Sequence, residues 1–139
     1  MRIHVLVENT SSRADLTAEH GLSLQIEACG RRILFDMGAS AAFADNAACM
    51  GVNLSEVDVA VLSHGHYDHG GGLERFLQLN KRAEVWVSEH AFDPHFNAAG
   101  KDIGLSPNLS AHPRIRRVQG ACAELAEGVR LYSAECVPM

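Results

Sequence analysis

Ser63-His64-Gly65-His66-Tyr67-Asp68-His69-Gly70-Gly71-Gly72-Leu73 puts three histidines and an aspartate within six residues. Imidazole nitrogens and carboxylate oxygens are the ligands that Zn²⁺, Fe²⁺ and Mn²⁺ accept. His64 and His66 are one residue apart, so an extended segment sends both side chains to the same side. Asp68 and His69 follow a turn that the neighbouring glycines ease. The four residues make two ligand pairs, His64 with His66 and Asp68 with His69. Two ions held about 3.5–4 Å apart can activate a bridging water. Packing alone is a poor explanation, because such crowded polar groups need a cation or water to satisfy them.

Working outward from the cluster, residues 57–62 form a short apolar run that reads as a strand buried on both faces. Residues 2–8 and 22–28 read as strands, the second with Leu22, Leu24 and Ile26 on one face and polar groups on the other. A turn at 29–31 returns the chain as residues 32–36, the second arm of a hairpin. Asp36 ends that arm, and the histidine cluster follows the end of another strand. If the two strand ends adjoin, Asp36 can orient a metal-bound histidine; capping the turn at Gly38 is the competing role. Residues 41–50 suit a helix, with Ser40 as N-cap and Gly51 just past its end. Residues 73–79 suit a second helix and 84–88 a further strand. Residues 91–113 are rich in Gly, Pro, Asn and Ser and read as one long loop, a frequent place for function. Residues 115–119 and 129–133 read as a final pair of strands. The order is that of an α/β chain with a mixed sheet.

The chain has 139 residues, 47% of them hydrophobic, and a net charge of −5. That suits one globular domain spanning 1–139, and it argues against nucleic acid, which requires a basic patch. Arg114, Arg116 and Arg117 are the tightest basic group, and a solvated strand face accounts for them at least as well as a phosphate site. No stretch approaches the ~20 apolar residues of a membrane span. Cys29, Cys49, Cys122 and Cys136 are far apart in sequence and read as single thiols in a reducing cytoplasm. None has a neighbouring thiol or a sequence-local base, which sets aside thiol redox chemistry. The glycines at 70–72 open a helix, whose bare N–H groups favour an anion such as a substrate phosphate; turn-making is the plainer explanation. His20, His90, His95 and His112 lack ligand spacing and read as surface or loop residues.

The segment 63–73 resembles the His-x-His-x-Asp-His signature of the metallo-β-lactamase superfamily. Leu34-Phe35-Asp36-Met37-Gly38 is similar to that family's strand-end Asp motif. Val7-Glu8-Asn9-Thr10, Glu19-His20-Gly21-Leu22-Ser23-Leu24 and Lys101-Asp102-Ile103-Gly104-Leu105 resemble its dihydropterin-methyl-ribofuranosylaminobenzene-phosphate synthase-like subgroup. The resemblance implies the N-terminal half of an αββα sandwich, here a mixed β-sheet with helices on one face. It implies a metal-activated water acting on a small-molecule substrate that contains phosphate or a pterin. His64 and His66 would hold one Zn²⁺ (or Fe or Mn) ion, Asp68 and His69 a second. Asp68 would also lie close to the nucleophile as a catalytic residue.

Family members run to about twice this length, and their second half adds a histidine, usually a bridging Asp, and a final histidine. In the subgroup one of these lies in a Gly-Cys-Ser-His segment. Nothing after His69 here reads that way, and His112, in Ser110-Ala111-His112-Pro113, is a weak substitute. A truncated or frame-shifted fragment, an excised half and a free-standing half with a partner all fit. Each implies weakly held metal and a catalytically silent chain unless a partner completes the site. Residues 57–62 are expected to expose apolar area on the uncovered sheet face, which favours a homodimer or pairing with the missing half.

Overall fold

A computed structural model describes residues 1–133 of the chain. The elements run β1 (Arg2–Val7), β2 (Ser23–Ala28), β3 (Arg31–Phe35), α1 (Ala42–Met50), β4 (Val59–Val61), α2 (Tyr67–Gly70) and α3 (Leu73–Leu79). β5 (Glu84–Val87), β6 (Ile115–Arg117), β7 (Cys122–Ala126) and β8 (Val129–Tyr132) follow. β1 to β6 form one sheet in sequence order. The β1–β2 and β2–β3 pairs are antiparallel and the remaining three are parallel. Each parallel step needs a crossover, which α1 supplies between β3 and β4 and α3 between β4 and β5. This is the mixed sheet expected, and its main core lies where Leu34, Ala60, Leu62, Val85 and Val87 meet Phe43, Ala47, Phe76 and Leu77 of the helices.

The other face holds a smaller cluster of Ile33, Val59 and Val61, against which Leu125, Val129 and Leu131 pack. Those three residues come from the β7–β8 hairpin, a two-stranded sheet of its own. Residues 115–119 and 129–133 both hold strands, as expected, but the two belong to different sheets. β6 extends the main sheet beside β5, while β8 pairs with β7 across the turn at Gly128. The reading missed β7 because Cys122-Ala-Glu-Leu-Ala carries few β-branched or aromatic residues to mark it.

The hairpin also corrects the expectation for residues 57–62. Val59 and Val61 are 5% and 3% exposed, not open to solvent. Apolar exposure lies instead at the far edge of the same sheet, at Ile3 (50%) and Val5 (43%). β2 departs from simple alternation for a related reason. Ser23 and Gln25 are the buried members, whereas Leu24 and Ile26 are only half-buried on the thinly covered face. The Ser23 hydroxyl donates to the Asp36 carbonyl at 2.7 Å, which satisfies it under the helices.

α1 begins one residue later than expected. Ala41 occupies the N-cap position, although Ser40 Oγ still accepts from the Ala42 N–H at 3.1 Å. Gly51 closes the helix in the left-handed conformation, as its position suggested. Among the described residues no helix is long and apolar enough to cross a membrane. Cys29, Cys49 and Cys122 are free and exposed; Cys136 lies outside the described residues.

Candidate metal centre

Asp36 follows directly on β3 and adopts φ +60°, a left-handed conformation that Asp tolerates better than most residues. Its N–H continues the sheet to the Val61 carbonyl at 2.9 Å, and the turn folds its carboxylate beneath the end of β4. There Oδ1 accepts from the Ser63 N–H at 2.7 Å and Oδ2 from the Ser63 hydroxyl at 2.6 Å. Oδ2 also lies 2.7 Å from His69 Nδ1. The carboxylate is fully buried, so these contacts replace the water it has lost. The carboxylate thus orients His69 rather than capping the turn at Gly38, whose N–H goes to the Leu22 carbonyl at 2.9 Å.

His64 to His66 leave the end of β4 through a bend, and α2 carries Asp68 and His69 in a single turn. The sequence reading treated this turn as irregular; one helical turn among glycines is too short to show periodicity. The ring centre of His64 lies 4.6 Å from that of His66 and 4.3 Å from that of His69. Ligand atoms of His64, Asp68 and His69 lie within 4.8 Å of one another. This grouping crosses the two pairs suggested by spacing.

The donor set suits a cation. His69 Nδ1 is engaged by Asp36, and His64 Nδ1 lies 2.8 Å from the Ser63 hydroxyl. Each ring therefore has its Nε2 left to face a metal. Burial, reinforced by the neighbouring His69 and His66, lowers the His64 pKa below 6.5, which keeps that imidazole neutral and its lone pair available.

Two histidines read as surface residues adjoin the cluster. His20 Nε2 is 3.1 Å from Asp68 Oδ2. Its loop is fastened there by the Leu22 N–H on the Asp68 carbonyl (3.2 Å) and by Gly21 N–H on Asn9 Oδ1 (3.2 Å). Glu19 fixes the other side, accepting from Ala39 N–H and the Ser40 hydroxyl. A cavity of about 360 Å³ opens between this loop and α2, lined in part by Asn9, Thr10, His20, Asp68 and His69. The ring of His95 lies 5.2 Å from that of His66. Nothing local marks either residue; only the Glu19-His20-Gly21 segment, within the subgroup resemblance, pointed to His20. His112 serves the backbone, its Nδ1 accepting from Arg114 N–H. His90 lies beside Glu89 and Asp93.

The glycines at 70–72 are needed for close packing. Gly70 N–H bonds to the His66 carbonyl, and Gly71 N–H to those of Gly38 and Tyr67, so neither is spare for an anion. A Cβ at Gly70 would meet Leu105 at 2.8 Å, and one at Gly72 would run into the Met37 carbonyl and the Phe43 ring. The arginine group is likewise structural. Arg114 donates to the Ala83 and Leu77 carbonyls and Arg116 pairs with Glu84.

The comparisons agree with this geometry. A family model described as the metallo-beta-lactamase superfamily matches residues 16–130. The chain is 30% identical over 116 residues to the 7,8-dihydropterin-6-methyl-4-(beta-D-ribofuranosyl)-aminobenzene-5'-phosphate synthase of Methanocaldococcus jannaschii, which spans 72% of this chain and 38% of that protein. An uncharacterised protein of the same organism is 38% identical over 111 residues, 79% of this chain and 43% of its own length. Among solved structures, Tm1679, a metal-dependent hydrolase of the beta-lactamase superfamily, superposes with TM-score 0.74 at 30% identity. It covers 94% of this chain and 46% of Tm1679. A quorum-quenching N-acyl homoserine lactone lactonase shares the fold at TM-score 0.59 and 17% identity, over 80% of this chain and 49% of its own. The chain spans less than half the length of each of these proteins. It belongs to the metallo-beta-lactamase superfamily.

Proposed function

We propose that this chain carries the metal-binding part of a metal-dependent hydrolase, acting on a phosphate- or pterin-containing small molecule. The observation that carries the reading is the convergence of His64, Asp68 and His69, with Asp36 and Ser63 behind two of the rings. The assignment is His64 and His66 to one ion and Asp68 and His69 to a second, Zn²⁺ or else Fe or Mn. Bound metal would supply a water ionised near neutral pH. The protein's own part is to hold the His64 imidazole neutral, fix the tautomers of His64 and His69 and seat substrate in the cavity beside Asp68. Asp68, 3.1 Å from His20, is placed to orient that water. The substrate class rests on the activity for which the 30% identical synthase is named.

Metal analysis tests the reading. Purified protein should retain Zn²⁺ after dialysis, weakly and at no more than two ions per chain. His66→Ala should weaken binding at least tenfold in a chelator competition. A wild-type protein that emerges metal-free and takes up none on titration would remove the hydrolase reading.

A second reading is a silent half-domain that works only with a partner, either a second copy or a chain carrying the part of its relatives that it does not span. It is favoured by the exposed Ile3 and Val5 on the thinly covered sheet face and by the coverage of its relatives. Light scattering should then give at least a dimer mass, and a monodisperse monomer would count against it. We propose a cytoplasmic location, in which the exposed thiols of Cys29, Cys49 and Cys122 would stay reduced.

A further inference from the structure

His95 lies in the long 91–113 loop, 26 residues beyond the cluster, yet three features fix it against the metal centre. The Ile103 N–H bonds to the His95 carbonyl at 2.7 Å, and Tyr67 N–H bonds to the Ile103 carbonyl at 2.9 Å, so the loop is laced onto the start of α2. Phe96 and Asp102 pair as an antiparallel bridge, which closes the loop behind His95. Gly65, between His64 and His66, packs so tightly on Ala91 that an added Cβ would run into the Ala91 backbone. A loop anchored at both ends in this way presents one imidazole to the cluster.

That imidazole is unsatisfied. Among the described residues His95 Nδ1 is shut off from solvent without a hydrogen-bond partner. A buried polar nitrogen without a partner is costly, and a cation beside the neighbouring His66 ring would satisfy it. The spacing agrees. Two imidazoles sharing one tetrahedral Zn²⁺, each at a Zn–N distance of about 2.0–2.1 Å, have ring centres about 5 Å apart. The rings of His66 and His95 are 5.2 Å apart and inclined at 73°.

We infer that His95 is a metal ligand of this chain, binding through Nδ1 to the ion held by His64 and His66. The inference rests on the proposed metal site and deepens it. With His95 the chain itself provides three imidazoles to one ion, a ligand number that leaves a fourth position for water. The first ion then needs no histidine from elsewhere, whereas the second still has only Asp68 and His69.

The test is Zn²⁺ competition and Co²⁺ absorption on the 139-residue chain, wild type against His95→Phe, His95→Gln and His112→Ala. Phenylalanine keeps the ring and removes the nitrogens, so folding and ligation separate; circular dichroism and thermal unfolding of the metal-free proteins monitor the first. The expected result is at least tenfold weaker binding of the first ion in both His95 variants, a weaker and shifted Co²⁺ d–d band, and no change for His112→Ala. Wild-type affinity and spectrum in folded His95→Phe would overturn the inference while leaving the metal site standing. Failure of the wild type to bind Zn²⁺ or Co²⁺ at all would instead remove the site and the inference with it.

Discussion

Replacing Asp36 by alanine is expected to destabilise the metal-free protein by about 3 kcal/mol and to weaken metal binding by about 10–100-fold. The stability loss follows from what the carboxylate satisfies. Ser63 N–H, the Ser63 hydroxyl and His69 Nδ1 all converge on it, and the carboxylate itself is fully buried. A hydrogen bond to a charged group contributes on the order of 1.5–3 kcal/mol, and the exposed Ser63 hydroxyl can turn to water more readily than the Ser63 N–H or the His69 ring. The affinity loss follows from His69, whose ring would no longer be held with Nε2 outward. Asp36→Asn separates the effects. Asparagine fits the volume and tolerates the left-handed φ of +60°, so less stability is lost. Its amide nitrogen, however, must face either Ser63 or His69. If it faces His69, the imidazole accepts at Nδ1 and carries its proton on Nε2, where metal would bind. Thermal unfolding without metal and Zn²⁺ competition measure the two quantities. An Asp36→Ala protein within about 0.5 kcal/mol of wild type would show that the carboxylate is not carrying the turn.

Asp36 also shows what could be read without coordinates. A carboxylate at a strand end, followed by Gly38 and sharing a chain with the cluster, was enough to suggest its partner, because both residues terminate strands that the α/β order makes neighbours. The cluster itself was legible for the same reason: its ligands are local, and local chemistry survives in one dimension. His20 and His95 were not legible. Their approach depends on backbone bonds from Leu22 to Asp68 and from Tyr67 to Ile103, and no spacing rule encodes those. The sheet followed the same division. β1 to β5 show alternation or apolar runs, whereas the β7–β8 hairpin and the burial of Ser23 and Gln25 depend on which face receives cover. Alternation tells that a strand has two faces; it does not tell which is the wetter when both are partly packed.

Cover is also what separates the two readings of function. The hairpin shields the β3–β5 part of the second face through Leu125, Val129 and Leu131, but not the β1 edge. Exposed strand edges with apolar side chains are surfaces on which chains associate. The metal centre lies elsewhere: its ligands sit in the bend after β4, on α2 and in the flanking loops, beside the helix-covered core. Metal binding can therefore persist in a chain whose sheet face is unpartnered, so ligand occupancy and oligomeric mass are independent measurements.

Gly65→Ala should be strongly damaging, because an added Cβ has less room there than at any other glycine. The residue sits between two of the histidines, and a Cβ there would lie 2.6 Å from the Ala91 carbonyl carbon, 3.0 Å from its Cα and directly against its oxygen. The obstacle is backbone, so no rotamer relieves it. Ala91 is itself buried, and its N–H is tied to the Ser88 carbonyl at 3.1 Å. Either the His64–His66 segment or the start of the 91–113 loop has to move. Overpacking of this kind costs about 1–3 kcal/mol where side chains can shift, and more is expected here, about 3 kcal/mol or above. Gly51→Ala is the comparison. It has open space around its Cβ but a φ of +73°, so only the conformational cost of about 1 kcal/mol applies. Because the displaced segments carry His64, His66 and His95, Gly65→Ala should also lose metal affinity, which Gly51→Ala should leave unchanged. Urea unfolding of both variants with and without Zn²⁺ distinguishes the cases. Equal destabilisation by the two substitutions would mean that the loop does not press on Gly65 in solution, and His95 would then have no fixed place beside His66.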